Sequence, residues 1–242
     1  MQSSTCSQLP NPALIEIIRR FQYFFKTDVV SSRLKLASVL YCFGHLHAAI
    51  RVLNDAERRY HSKVVIEGQT DLQVFVNMIS DNCDNLLSKP PFAFCVSFIR
   101  QEVHCAPYIL WFEMNRGMTE EEVEQRNDIE KGWMDNAEMD ARPFLHYLQY
   151  LTYGGLGERN KQLHAFDMLK SYILYPRNKI NIYHRETALN LIGHCYEMEG
   201  DYQRALYIYE TSLRLHETNN AANWHLQRVQ SIISNLECIL KH

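Results

Sequence analysis

Glycine and proline are scarce in this chain, nine and seven among 242 residues, a little over half the share of an average globular protein. Turn-rich β-sandwiches and dinucleotide-binding sheets need glycine at tight turns and close backbone approaches, so both are disfavoured and helices are the default expectation. No apolar run approaches the roughly 18 to 20 residues that span a bilayer. Residues 1–10 lack the basic and apolar regions of a signal peptide, so the reading is a cytoplasmic chain with no membrane contact. Cysteine pairing is missing too: the seven cysteines at 6, 42, 83, 95, 105, 195 and 238 never stand in CxxC spacing, which excludes a disulfide framework and a zinc ribbon. An excess of positive charge is also lacking. With 25 basic and 28 acidic residues the net charge is −3, and nucleic acid is not an expected partner.

What is present suits a folded, helical protein. Hydrophobic residues make up 46% and charged residues 22%, near globular averages. After a polar, disordered stretch over residues 1–10, Asn11-Pro12 reads as a helix start, followed by Leu14, Ile17, Ile18, Phe21, Phe24 and Phe25 at helical spacing. Asp28 caps a second helix carrying Leu34, Leu36, Val39 and Leu40 and stopping near Gly44, and a third runs from about His45 to Tyr60. A period of about 34 residues, the mark of tetratricopeptide hairpins, is most complete at 186–217. Leu189, Ile192, Gly193, Tyr196, Gly200, Tyr202, Ala205, Tyr209, Ser212 and Leu213 occupy its signature positions. There Gly193 and Ala205 allow two helices to approach closely, Gly200 supplies a left-handed C-cap, and Asp201 the next N-cap. The same frame fits Leu36, Ala37, Leu40, Gly44, Leu46, Ala49, Leu53 and Ala56, and more weakly Ala165, Leu169 and Tyr172.

The expected architecture is therefore all-α: tetratricopeptide-like hairpins in a right-handed α-solenoid or bundle with irregular middle helices. Residues 11–118 form an N-terminal helical part with a hairpin at 30–61. Residues 119–242 form an acidic helix, hairpins at about 141–175 and 186–217, and a capping helix at 220–240. In the middle, residues 71–87 have helical spacing and Thr119-x-x-Glu122 is a capping box. Phe92–Val103 and Pro107–Met114 read as buried helices, the first also compatible with a strand. Residues 119–140 carry nine acids against two bases, usually a solvated face.

Chemical motifs are weak. Gly154-Gly155-Leu156-Gly157 lacks the strand and the Gly-Lys-Ser/Thr of a phosphate loop and reads as a hairpin connection. His45-x-His47 with His61, or His104-Cys105 with Cys83 and Cys95, have no zinc-ligand spacing. Glu122-x-Glu124, Asp128-x-Glu130 and Glu197-x-Glu199 would need strands to point paired carboxylates the same way, and all three stand in helical context. No catalytic residue, metal site or cofactor is assigned, and the chain is read as a non-enzyme.

A binding surface is the better expectation. Helix A of each hairpin lines the concave side of a repeat stack, where the strongest copy places Asn190, His194 and Glu197. Adding 34 to the first two positions lands on Trp224 and Arg228, so these five side chains are expected to form one partner-binding patch. The carboxylate-clamp positions of the first hairpin read Leu34 and Ser38, so chaperone tail peptides are not expected partners.

The stretches ARPFLHYLQYLTYGGLGERNKQLHA and NKINIYHRETALNLIGHCYEMEGDYQRALYIYETSLR resemble the C-terminal helical region of molluscan proteins of the male-abnormal-twenty-one-like family, which are similar to cyclic GMP-AMP synthase. In that family the nucleotidyltransferase fold lies upstream of such a region. The Gly-Ser with a strand-borne acid pair and the His/Cys zinc insertion are not found here, so no catalytic or sensing residue carries over. The resemblance implies a protein- or peptide-binding module of innate immune signalling. The alternative is a regulatory C-terminal half of a nucleotidyltransferase system that binds nucleotide or nucleic acid.

Overall fold

A computed structural model describes residues 30–63, 95–114, 124, 136–174, 182–217 and 219–240. The expected elements at 11–25 and 71–87, the linker at 175–180 and, Glu124 apart, the helix opened by Thr119 lie outside the described residues. The elements are α1 (Val30–Cys42), α2 (Leu46–Lys63), β1 (Cys95–Ile99), a 3-10 turn (Arg100–Cys105), α3 (Ile109–Met114), β2 (Asn136–Asp140), α4 (Ala141–Gly155), α5 (Arg159–Leu174), α6 (Arg185–Met198), α7 (Tyr202–Leu215) and α8 (Ala222–Leu240). The fold class is all-α, as the glycine shortage and the periodicity indicate.

Successive helices pair as α1 with α2, α4 with α5 and α6 with α7, and α8 packs on α7. The pairs then stack, α4 taking α1 and α2 on one side and α6 on the other. This position explains why α4 is buried on nearly all faces, with Phe144, Leu145, Tyr147, Leu148, Tyr150 and Leu151 in the main core. Each pair is closed by the same turn. At the α6–α7 corner the N–H of Gly200 donates to the carbonyl of Glu197 and that of Asp201 to Tyr196, a Schellman closure that needs the left-handed φ of +75° at Gly200. Asp201 then accepts from the N–H of Arg204 at 3.1 Å as the N-cap of α7. The same pair of backbone bonds recurs at Gly44 and at Gly157, so the Gly154–Gly157 run is the hairpin connection its sequence suggests.

The described part of Phe92–Val103, which begins at Cys95, does not form the expected α-helix. Over β1, Val96 and Phe98 are buried while Cys95 and Ser97 are half-exposed. That period of two suits a strand, since a helix would send successive alternate residues to faces about 200° apart. β1 pairs antiparallel with β2, Cys95 opposite Asp140 and Ser97 opposite Glu138. Ala137 and Met139 are buried with Val96 and Phe98, leaving Cys95, Ser97, Glu138 and Asp140 on the other face. The sheet thus carries a strand-borne acid pair, Glu138-Met139-Asp140, that the sequence reading did not find.

Residues 95–114 run along the stack as a strap. Lys35 of α1 pairs with Glu102 at 2.8 Å, Ser38 of α1 donates to the carbonyl of Cys105 at 2.6 Å, and Asn190 of α6 donates to Glu113 at 2.7 Å. At the far end Phe112 meets His225 of α8 edge-on, with ring centroids 4.9 Å apart.

The contact between α6 and α7 rests on Gly193. A β-carbon there would stand 2.5 Å from Cε1 of Tyr209, whose ring is fully buried and whose hydroxyl is held by Glu197 at 2.5 Å. Alanine gains up to about 1 kcal/mol of helix propensity over glycine, whereas overpacking costs about 1 to 3 kcal/mol. With the ring tethered the steric term wins, so Gly193→Ala should lower stability by about 1 to 2 kcal/mol in urea denaturation. A midpoint equal to or above that of the wild type would show that the ring moves freely.

Candidate interaction site

The five side chains expected to form a patch lie where α3, α6, α7 and α8 converge, but most of them are covered. Asn190 is buried, and its amide donates to Glu113 of α3 at 2.7 Å and to Asn220 at 3.1 Å. Asn220 organises the α7–α8 corner. Its side chain accepts from the N–H of Ala222 and donates to Ser212 and to the carbonyl of His216, after a left-handed residue at Asn219. This turn sets the register of α8 and so the positions of Trp224 and Arg228.

Glu197, at the end of α6, accepts from Tyr209 and from Arg228 through one oxygen, at 2.5 and 2.7 Å. The Arg228 guanidinium lies over Phe112 and Tyr108 at 5.1 and 5.8 Å, a cation–π pair of contacts. His194 shares a 2.8 Å hydrogen bond with the Tyr147 hydroxyl. Burial, with the Arg228 charge adding to it, lowers the pKa of His194 to about 3, so the imidazole is neutral at pH 7. His225 sits between Phe112 and Tyr209, neither ring nitrogen has a hydrogen-bond partner among the described residues, and burial keeps it neutral too.

The sequence reading of an open polar groove is therefore corrected. Asn190 is buried, and His194, Glu197 and Arg228 are half-buried, because Glu113, Phe112 and Tyr108 pack against Asn190 and Arg228, Tyr147 against His194 and Tyr209 against Glu197. Only Trp224 stands out, 45% exposed. Two further aromatics, in the segment that the sequence reads as a buried helix, are exposed as well: Tyr108 at 53% and Trp111 at 37%, with ring centroids 5.4 Å apart. Trp224 is one helical turn before Arg228 on the same face of α8, and Arg228 covers Tyr108. Arg228 over Tyr108 and Tyr108 against Trp111 link these side chains, with Trp224 one turn away, into a candidate surface of Tyr108, Trp111, Trp224 and Arg228. Its signal in the sequence is the Tyr-x-x-Trp spacing at 108–111, an aromatic just before a short helix and another in its first turn.

The polar face of the sheet is the other chemically dense region. The ligand-type side chains Cys95, Glu138 and His184 come together there, and Asp140 accepts from the N–H groups of Tyr183 and His184 at 3.0 and 2.9 Å. Burial pushes the Cys95 thiol up to about 12, with the Asp140 and Glu138 carboxylates adding to the effect. Such a thiol is protonated at pH 7 and is not a reactive nucleophile. Among the described residues no helix is long and apolar enough to cross a membrane.

Comparison of the chain with protein-family models, with curated proteins and with solved structures gives no match.

Proposed function

We propose that this chain is a non-catalytic scaffold of tetratricopeptide type that binds a protein or peptide partner in the cytoplasm. The observation that carries this reading is the surface of Tyr108, Trp111, Trp224 and Arg228, because tryptophan, tyrosine and arginine dominate the energetic centres of protein interfaces. Three hairpins closed by the same glycine turn and stacked in sequence support the repeat reading, since such stacks serve as rigid display surfaces. The elevated thiol pKa at Cys95 argues against cysteine catalysis. The partner reaches the rim left by α3 rather than the depth of the concave face, and Trp224 and Trp111 are its anchors.

The test is selection of peptides from a displayed random library on the purified full chain, followed by titration against variants. Trp224→Ala and Trp111→Ala should each weaken the selected peptides at least about tenfold, the size of a hot-spot loss. Trp224→Ala should also leave the thermal midpoint nearly unchanged, because surface substitutions stay within about 0.5 kcal/mol. Selected peptides that bind both variants as well as the wild type would remove this surface from the reading.

A further inference from the structure

We propose that Cys95, Glu138 and His184 form a site for one divalent transition-metal ion of the zinc class. A thiol sulfur, a carboxylate oxygen and an imidazole nitrogen lie within 4.8 Å of one another. They arrive from three segments, β1, β2 and the residue preceding α6, so their meeting is a product of the tertiary fold and not of one helical turn. Zinc holds such atoms at about 2.0 to 2.3 Å in a tetrahedron, which places them roughly 3.3 to 3.8 Å apart. Closing on an ion therefore takes side-chain movements of about an ångström, within reach of three half-buried side chains.

The orientation of the imidazole supports the assignment. Nε2 of His184 stands 3.9 Å from Glu138, and Nδ1 stands 3.9 Å from Glu186. One ring nitrogen thus lies toward Glu138 while the second lies toward the Glu186 carboxylate, which a shift of about an ångström would bring into the hydrogen bond that orients a metal-bound histidine. Both Asp140 oxygens are engaged by the backbone of Tyr183 and His184. Asp140 therefore positions His184, and it stands outside the group whose ligand atoms lie within 4.8 Å of one another.

Charge and donor type select the occupant. Glu138 within the cluster and Asp140 and Glu186 beside it are carboxylates, and none of them is paired with a lysine or arginine among the described residues. A cysteine nucleophile needs electropositive surroundings, so a Cys–His–Glu hydrolase arrangement is the weaker use of this geometry. A dication fits it: Cys95 exchanges its S–H bond for a sulfur–metal bond and the proton leaves to solvent. Magnesium and calcium take oxygen ligands, whereas sulfur with imidazole selects the zinc class. Three protein ligands leave the fourth position to water.

Anaerobic titration of the purified full chain with cobalt(II), a spectroscopic stand-in for zinc, tests the site. One equivalent should bind with a sulfur-to-cobalt charge-transfer band, and zinc should displace it. Cys95→Ser should abolish the band, Cys105→Ser should leave it, and Glu186→Gln should weaken binding about 10- to 100-fold. A wild-type chain with no such band overturns the proposal without recourse to any variant. So does a band that persists in Cys95→Ser, or an undiminished affinity in a His184→Gln chain whose circular dichroism matches the wild type.

Discussion

Lowering the pH from 7 to 4 should destabilise the fold by about 3 kcal/mol through His194 alone. The folded chain holds this imidazole neutral down to about pH 3, by burial and by the neighbouring Arg228. The unfolded chain takes up the proton near pH 6.5. Below that pH the unfolded state binds more protons than the folded state, so stability falls at about 1.4 kcal/mol per pH unit until the folded value is reached. His225 and His146, both lowered by burial, shift in the same direction, each costing stability as the pH falls below 6.5. Asp140, raised by burial, opposes them, since its protonated form is favoured in the folded state as the pH approaches 4. Three groups outweigh one. Urea denaturation at pH 7, 5.5 and 4 reads the effect, and His194→Gln should flatten the dependence. A midpoint constant between pH 6.5 and 4 would mean that His194 gains its proton without unfolding.

Arg228→Met should cost about 3 kcal/mol or more. The Arg228 and Glu197 side chains are only 24% and 10% exposed, and Glu197 keeps just the Tyr209 hydroxyl once the guanidinium is gone. Removing one partner of a buried pair leaves an uncompensated charge, whereas neutralising both removes the charge altogether. The double variant Glu197→Gln, Arg228→Met should therefore recover a large part of the loss, and a double-mutant cycle by chemical denaturation measures the coupling. A loss under about 0.5 kcal/mol for Arg228→Met, the size of an ordinary surface change, would place the pair in solvent.

What was legible in the sequence is what neighbours in the chain decide. Gly200 and Asp201 announce their turn through a backbone requirement and a cap within five residues. Gly193, Ala205 and Tyr209 announce a helix pair through a spacing that local geometry fixes. The covering of Asn190 was hidden, because Glu113 comes from 77 positions earlier and nothing in α6 indicates it. The strand at Cys95–Ile99 failed for a similar reason. Four of its five residues, Cys95, Val96, Phe98 and Ile99, are apolar, so no alternation is visible before burial is known, and the deciding partner, Asp140 opposite Cys95, stands across a segment dominated by acids. In the sequence, the histidine and cysteines that stand near Cys95 as candidate ligands are His104, Cys105 and Cys83. Its neighbours in space, Glu138 and His184, follow no spacing rule.

The strap at residues 95–114 also governs how the molecule comes apart. A stack of helix pairs with only nearest-neighbour contacts behaves as a one-dimensional array, opening from an end one unit at a time. Here a single segment grips α1 through Lys35 and Ser38, α6 through Asn190 and α8 through His225 and Arg228. Fraying of the first pair frees one end of that segment, and fraying of α8 frees the other, so loss at either end weakens the opposite one. The array is thereby converted into one cooperative unit, in which unfolding of the outer helices is coupled to that of the whole.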